Sequence, residues 1–183
     1  MLEGPRITLR LMTDADVEEY VKLQNVVVEQ GEHLPPRLRS LRSIREHYEE
    51  RKGWWDEHEG ALLITDKADQ MLGGIGFFRR SHHDSGYEIG YELLRREHRG
   101  QGYTTEALRI FSAYLFELKP IPRLQIVTTK GNVAARRVAE KCGYQLEGTL
   151  REGGFVRGEY VDVVIYGLLR GDCPSLAEVL RGS

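Results

Sequence analysis

Cysteine is scarce. Cys142 and Cys173 are the two in 183 residues, too few for a disulfide framework and without metal-site spacing, which fits a reducing compartment. No apolar run approaches the ~20 residues that a membrane-crossing helix needs, and nothing resembles a signal peptide. A large excess of charge of one sign is missing too. With 26 Lys+Arg against 28 Asp+Glu the net charge is -2, so the chain lacks the field that marks a nucleic-acid binder, and an anionic ligand must be met by a locally basic site. The polar run around His82, His83 and Asp84 reads as a solvated loop rather than a metal site, because adjacent histidines point apart and no third ligand has the right spacing. These absences predict a soluble, cytoplasmic protein without nucleic-acid, membrane or metal partners. Its length suits one domain over residues 1–183, with a peripheral tail from about 172.

What is present is organised around Glu88 to Leu108, where an alternating strand runs into a glycine-containing turn and then a helix. Gly100 and Gly102 let the backbone approach a ligand closely. The free N–H groups of the helix opening at Thr104 and Thr105, with the positive end of the dipole behind them, suit a pyrophosphate. Two familiar phosphate loops are excluded. No lysine follows either glycine, as a nucleotide-hydrolase loop requires, and a dinucleotide fingerprint wants a third glycine where Thr105 stands.

A second pattern lies at Asn132 to Tyr144. Asn132 is a good N-cap, Ala134, Ala135, Val138 and Cys142 fall at helical spacing, and Gly143 is placed to end the helix in a left-handed cap. The first stretch, Arg99-Gly100-Gln101-Gly102-Tyr103-Thr104, resembles motif A of the GCN5-related N-acetyltransferase (GNAT) superfamily, with Thr104 departing at the last position. The second resembles motif B. Leu146 to Glu152, Gly158 to Leu169, and Gly102 to Ala107 are similar to the ribosomal-protein alanine N-acetyltransferases within it.

The resemblance implies an α+β (α/β-type) fold: a single domain with a central mixed, strongly twisted sheet of about seven strands, splayed at the middle and flanked by about four helices. It also implies acetyl-CoA as co-substrate. Leu93, Leu94, Arg99, Gly100, Gln101, Gly102, Tyr103, Thr104, Thr105, Asn132 and Arg137 become the coenzyme set, with a backbone N–H near Leu93 or Leu94 as oxyanion donor. On the acceptor side it implies Glu32, His33, Trp54 and Tyr91. A homodimer is compatible with the resemblance.

Periodicity fills in the rest. Arg6 to Leu11 reads as a strand, Thr13 to Asp16 as the cap of a helix ending before Gly31, and Gly31 to Pro36 as a loop, since Pro35 and Pro36 lack donors. A second helix is expected from Ser40 to about Trp55. Trp54 and Trp55 either line an acceptor pocket or pack ordinarily. Ala61 to Thr65 and Met71 to Phe78 form a hairpin. Its glycines, Gly73, Gly74 and Gly76, either permit a bulge or leave room for something over that face. Leu124 to Thr129 is a further strand, and Tyr144 to Leu169 two more around a turn at Gly153 to Gly158.

N-acetylation needs a neutral amine, an oxyanion donor and proton management at the amine and the leaving thiolate. Glu88 stands eleven positions before Arg99, where the resemblance to the histone-acetylating members of the superfamily implies a strand base, and Glu92, on the same strand face, is its reserve. Charged residues are also common on sheet edges, so a site in which neither acts stays open. The acids that relatives use on the thiolate are replaced by Ala135 and Ala139, leaving Tyr144, solvent or another group. An α-amine (pKa near ~8) asks less of a base than a lysine (near ~10.4), so the reading leans to protein or peptide N-termini. The alternatives are a small amine such as an antibiotic, polyamine or amino-acid derivative, and a non-catalytic acyl-CoA binder.

Overall fold

The computed structural model describes residues 1–50, 55–79 and 85–181. Trp54 and the His82–Asp84 run therefore lie outside the described residues.

The N-terminal half builds a meander. Alternating Ile7 and Leu9 form β2 (Ile7–Arg10), edged by a two-residue β1 (Leu2–Glu3). Helix α1 (Asp14–Gln24) is started by Thr13, whose N–H donates to Asp16 Oδ2 at 2.8 Å in a capping box. Helix α2 is Leu41–Glu50. The hairpin is β3 (Glu59–Asp66) with β4 (Met71–Phe78), and β5 (Tyr87–Leu93) follows antiparallel to β4. Gly73 answers the glycine question at one position: a Cβ there would lie 2.0 Å from the Glu92 carbonyl oxygen, so its neighbour's backbone needs that space.

The second half begins with α3 (Tyr103–Leu118), followed by β6 (Arg123–Thr129), α4 (Val133–Lys141), β7 (Gln145–Val156) and β8 (Glu159–Leu169). The hairpin β7–β8 turns on Arg157 and Gly158, both at positive φ. The strands form one sheet in the order β1-β2-β3-β4-β5-β6-β8-β7, antiparallel except where β5 meets β6. The described residues thus hold eight strands and five helices, against about seven and four expected. The additions are β1 and α5 (Leu176–Leu180). That helix lies in the expected tail, with no fully buried residue, and Leu176, Val179 and Leu180, each partly buried, pack against the main core.

Strand alternation divides the core between the two faces. Leu62, Ile64, Leu72 and Phe77 pack in one cluster with Leu108, Phe111 and Leu115 of α3, while Leu63 and Met71 pack with Val17, Val21 and Ile44 of α1 and α2. Trp55 belongs to the first packing, edge-on to Phe77 with ring centroids 5.2 Å apart, so of the tryptophan pair the described member is a core residue.

Candidate active site

The site follows from a failure of pairing. β5 and β6 share only the rungs Tyr87–Leu124 and Glu88–Gln125, although β5 continues to Leu93 and β6 to Thr129. Beyond Glu88 the strands part. Hydrogen bonding along β5 decides what the split receives. The Leu94 N–H donates to the Leu72 carbonyl at 2.9 Å, and antiparallel alternation then turns the N–H groups of Glu92 and Gly90 to β4 as well. Those of Leu93 and Tyr91 face the split. This corrects half of the oxyanion expectation: Leu94 is committed to the sheet, and Leu93 is the residue whose amide is turned toward the split.

At the far end of β5 the chain turns through Gly100 (φ 74°) and Gly102 (φ 86°), left-handed values that favour glycine. A Cβ on Gly100 would meet nothing within 4 Å, so the dihedral alone requires that glycine, whereas one on Gly102 would also stand 3.0 Å from Arg6 Nη2. Helix α3 opens at Tyr103. Its first internal bond is Glu106 N–H to the Gly102 carbonyl (3.1 Å), which leaves the amides of Tyr103, Thr104 and Thr105 without helical acceptors. An anion placed there meets three donors and the positive end of a 16-residue helix.

The turn is braced from behind by residues that sequence reasoning missed. Glu106 accepts from the Arg6 and Ile7 amides (2.9 and 3.1 Å) and from Arg6 Nε (3.0 Å), and Arg6 Nη1 donates to the Gln101 carbonyl at 2.7 Å. The guanidinium also lies over the Tyr103 ring. Arg6 thereby ties the first long strand to the glycine turn from nearly 100 residues away, a distance no local pattern reports. On the other side, the Arg96 amide donates to Glu29 Oε2 at 2.7 Å and the Arg99 guanidinium to the Glu29 carbonyl, attaching the short 3₁₀ turn Val27–Glu29.

A cavity of about 660 Å³ lies along this turn, lined by Arg99, Gly100 and Thr104 among others, and a second of about 610 Å³ lies over Glu88. They meet at Tyr91, Glu92, Asn132 and Ala135. The first has what a coenzyme A thioester needs: amides for the diphosphate at one end and an open strand edge leading into the split.

Residues 6–145 match the family described as acetyltransferase (GNAT) domain. The chain belongs to the GNAT acetyltransferases. It is an acetyl-CoA-dependent N-acetyltransferase, as GNAT family membership and the cradle together imply. It is 26% identical over 184 residues to the uncharacterized N-acetyltransferase YoaA of Bacillus subtilis, covering 93% of this chain and 97% of that one. In fold it is similar to a spermidine N-acetyltransferase from Vibrio cholerae solved with CoA and spermine (TM-score 0.79, 21% identity, 91% and 96% of the two chains). It is also similar to RimL, a ribosomal L7/L12 alpha-N-protein acetyltransferase solved with coenzyme A (TM-score 0.77, 22% identity, 91% and 95%).

Within this GNAT site the remaining expected residues are distributed as follows. Glu88 is buried, 5% exposed, on the last rung before the strands part, and faces the second cavity. Glu92 lies two residues on. Its Oε1 accepts from the Tyr20 hydroxyl at 3.0 Å and from Gln24 Nε2 at 2.5 Å. Burial, then the Glu92 charge, holds the Tyr20 phenol well above its usual pKa, so it remains a donor.

Tyr91 crosses from β5 to α4, where its hydroxyl donates to the Ala135 carbonyl at 3.2 Å; burial raises its pKa too. Asn132 caps α4, accepting from the Ala135 amide and donating to Thr128 Oγ1, both at 3.1 Å. His33 reaches Thr129 Oγ1 at 3.0 Å, and exposed Glu32 lines the coenzyme-side cavity.

Other expected members stand apart. Gln101, Gly102, Tyr103 and Thr105 do not line the cavity themselves; they shape the turn and the helix start beside it, where what they offer an anion is main chain rather than side chain. The Thr105 carbonyl accepts from the Cys142 thiol, which burial pushes up to about 12. Arg137 is exposed and lines neither cavity. Tyr144 is corrected outright as a thiolate acid. It is 2% exposed, its hydroxyl is 2.8 Å from Ser112 Oγ, and burial holds its pKa well above normal. A group that lines neither cavity does not reach a departing sulfur.

Proposed function

We propose that the acceptor is the α-amine of a peptide or protein N-terminus, and that Glu88 takes up its proton, directly or through one water, as the amine attacks the thioester carbonyl. The observation that carries this is where Glu88 stands: at the closed end of the split, buried, on the acceptor side. A carboxylate there meets an amine arriving from the second cavity while the Leu93 amide faces the thioester from the strand edge. Glu92 is held by Tyr20 and Gln24, which suits a positioning role over that of a base. Tyr91 contributes a hydroxyl where the cavities meet. The coenzyme binds through the amides of the glycine turn, with Arg99 beside them.

A low-pKa α-amine matches a site whose base is a single carboxylate, and RimL shares the fold. The second reading is a small polyamine, favoured by the likeness to the spermidine enzyme. Free CoA thiol released from acetyl-CoA in the presence of N-terminal peptides, spermidine and amino acids decides between them. Peptides should turn over with the highest kcat/KM, and faster spermidine would reverse the assignment. Two unpaired thiols suit a cytoplasmic protein. A homodimer is part of the same proposal, with the long edge strand β7 and its exposed Leu146 and Leu150 as the face to test by ultracentrifugation.

A further inference from the structure

The loop joining α1 to α2 crosses the mouth of the split. Its middle is fixed by His33 on Thr129, and its far end is gripped twice. Gln30 donates from Nε2 to the Arg37 carbonyl (2.7 Å) and accepts the Arg37 amide (2.9 Å). Asn25 does the same for Arg39, at 2.8 Å in both directions. Two side-chain amides thus hold residues 37 and 39 as a neighbouring strand would, without a strand being there. Both residues line both cavities.

Neither guanidinium has a hydrogen bond or ion pair among the described residues. Arg6, Arg10 and Arg123 are each seated on a carboxylate. The acceptor-side cavity is consequently bipolar: Glu88 and Glu92 on β5, Arg37 and Arg39 on the loop opposite. Arg39 is close enough to the Tyr20–Glu92 pair to oppose the upward shift of the Tyr20 phenol. Guanidinium forks fixed at the backbone and unpaired at the tip are ready receivers for a carboxylate, and they repel a polycation.

We infer that Arg37 and Arg39 form an anion subsite for the acceptor, so that the preferred substrate is a peptide N-terminus carrying Asp or Glu within its first few residues. The inference rests on the N-terminal reading above and adds the charge of the substrate to it. The amine points to Glu88 and the acidic side chain to the loop.

The test uses the full chain at saturating acetyl-CoA, following thiol release on short peptides that differ only in carrying Asp, Asn or Lys at the second and third positions, with spermidine and free aspartate beside them. Acidic peptides should exceed neutral ones roughly ten- to hundredfold in kcat/KM, as charge-assisted hydrogen bonds are worth, and lysine peptides should be poorer still. Added salt should shrink the preference. In the double variants Arg37→Gln/Arg39→Gln and Arg37→Glu/Arg39→Glu the order should flatten and then invert, with coenzyme A affinity by calorimetry unchanged.

Equal rates on all three peptides overturn the inference. So does a variant that loses coenzyme affinity while keeping the peptide order, because the arginines would then serve the coenzyme. If small amines react and no peptide does, the N-terminal reading falls by itself. The subsite is then judged by aspartate against spermidine, and faster spermidine ends it.

Discussion

The two cavities beside the split are made of different materials. The coenzyme side is main chain: left-handed glycines, three unsatisfied amides at the start of α3 and the free edge of β5. The acceptor side adds side chains, with Glu88 from the sheet as its own and Glu92, His33, Arg37 and Arg39 at the border it shares with the coenzyme side, the last two on a loop held by Gln30 and Asn25. A main-chain site tolerates exchange of its side chains but not of its dihedrals. A side-chain site behaves in the opposite way. One cavity is therefore suited to an invariant ligand and the other to a ligand that differs between relatives.

The largest expected effect lies on the acceptor side. Glu88→Gln should lower kcat about a hundredfold or more with coenzyme A affinity nearly intact. If affinity and turnover fall together, the two cavities are not separable. Next is Gly102→Val, which forces a β-branched residue to φ 86° against Arg6 and should weaken coenzyme binding roughly ten- to hundredfold by calorimetry, with Thr104→Ala nearly silent beside it.

A smaller effect tests the base of α1, which carries Tyr20 and Gln24 to the site. Two Arg10 hydrogen bonds to the Asp16 carboxylate, at 2.7 and 2.9 Å, are the chief reason its pKa lies well below the usual range. A depressed folded pKa means that this stabilisation is complete above the unfolded value near ~3.9 and is lost as the pH falls below it. Asp16→Asn should cost about 1–2 kcal/mol in urea unfolding at pH 7 and flatten the acid limb of the stability curve. Least should come from Tyr20→Phe, within about 1 kcal/mol of transition-state stabilisation. A loss as large as that of Glu88→Gln would make Glu92 the base.

The same division explains what could be read without coordinates. Gly100, Gly102 and the Asn132 cap announce themselves because their roles are local, a dihedral or a bond three residues on. The alternation of β5 and the face shared by Glu88 and Glu92 are local too. Arg6 on Glu106 is not, since it joins the ends of a 100-residue excursion. Tyr144 follows Gly143 in an informative motif, yet its hydroxyl direction is set by Ser112 on α3, a tertiary neighbour. Leu93 and Leu94 look equivalent until the register with Leu72 decides which amide is spent. Arg37 and Arg39 carry no periodic signal, because the groups that hold them are the side chains of Gln30 and Asn25.

Joined by two rungs, β5 and β6 make the eight strands behave as two sheets sharing a short seam. Whatever occupies the seam adds cohesion that the polypeptide does not supply by itself. The loaded enzyme should melt later than the empty one, and at a hundredfold excess of coenzyme over its Kd the gain is about 2.7 kcal/mol. Preparations stripped of coenzyme should then be the ones that lose their activity on storage, with damage starting where the sheet is already open.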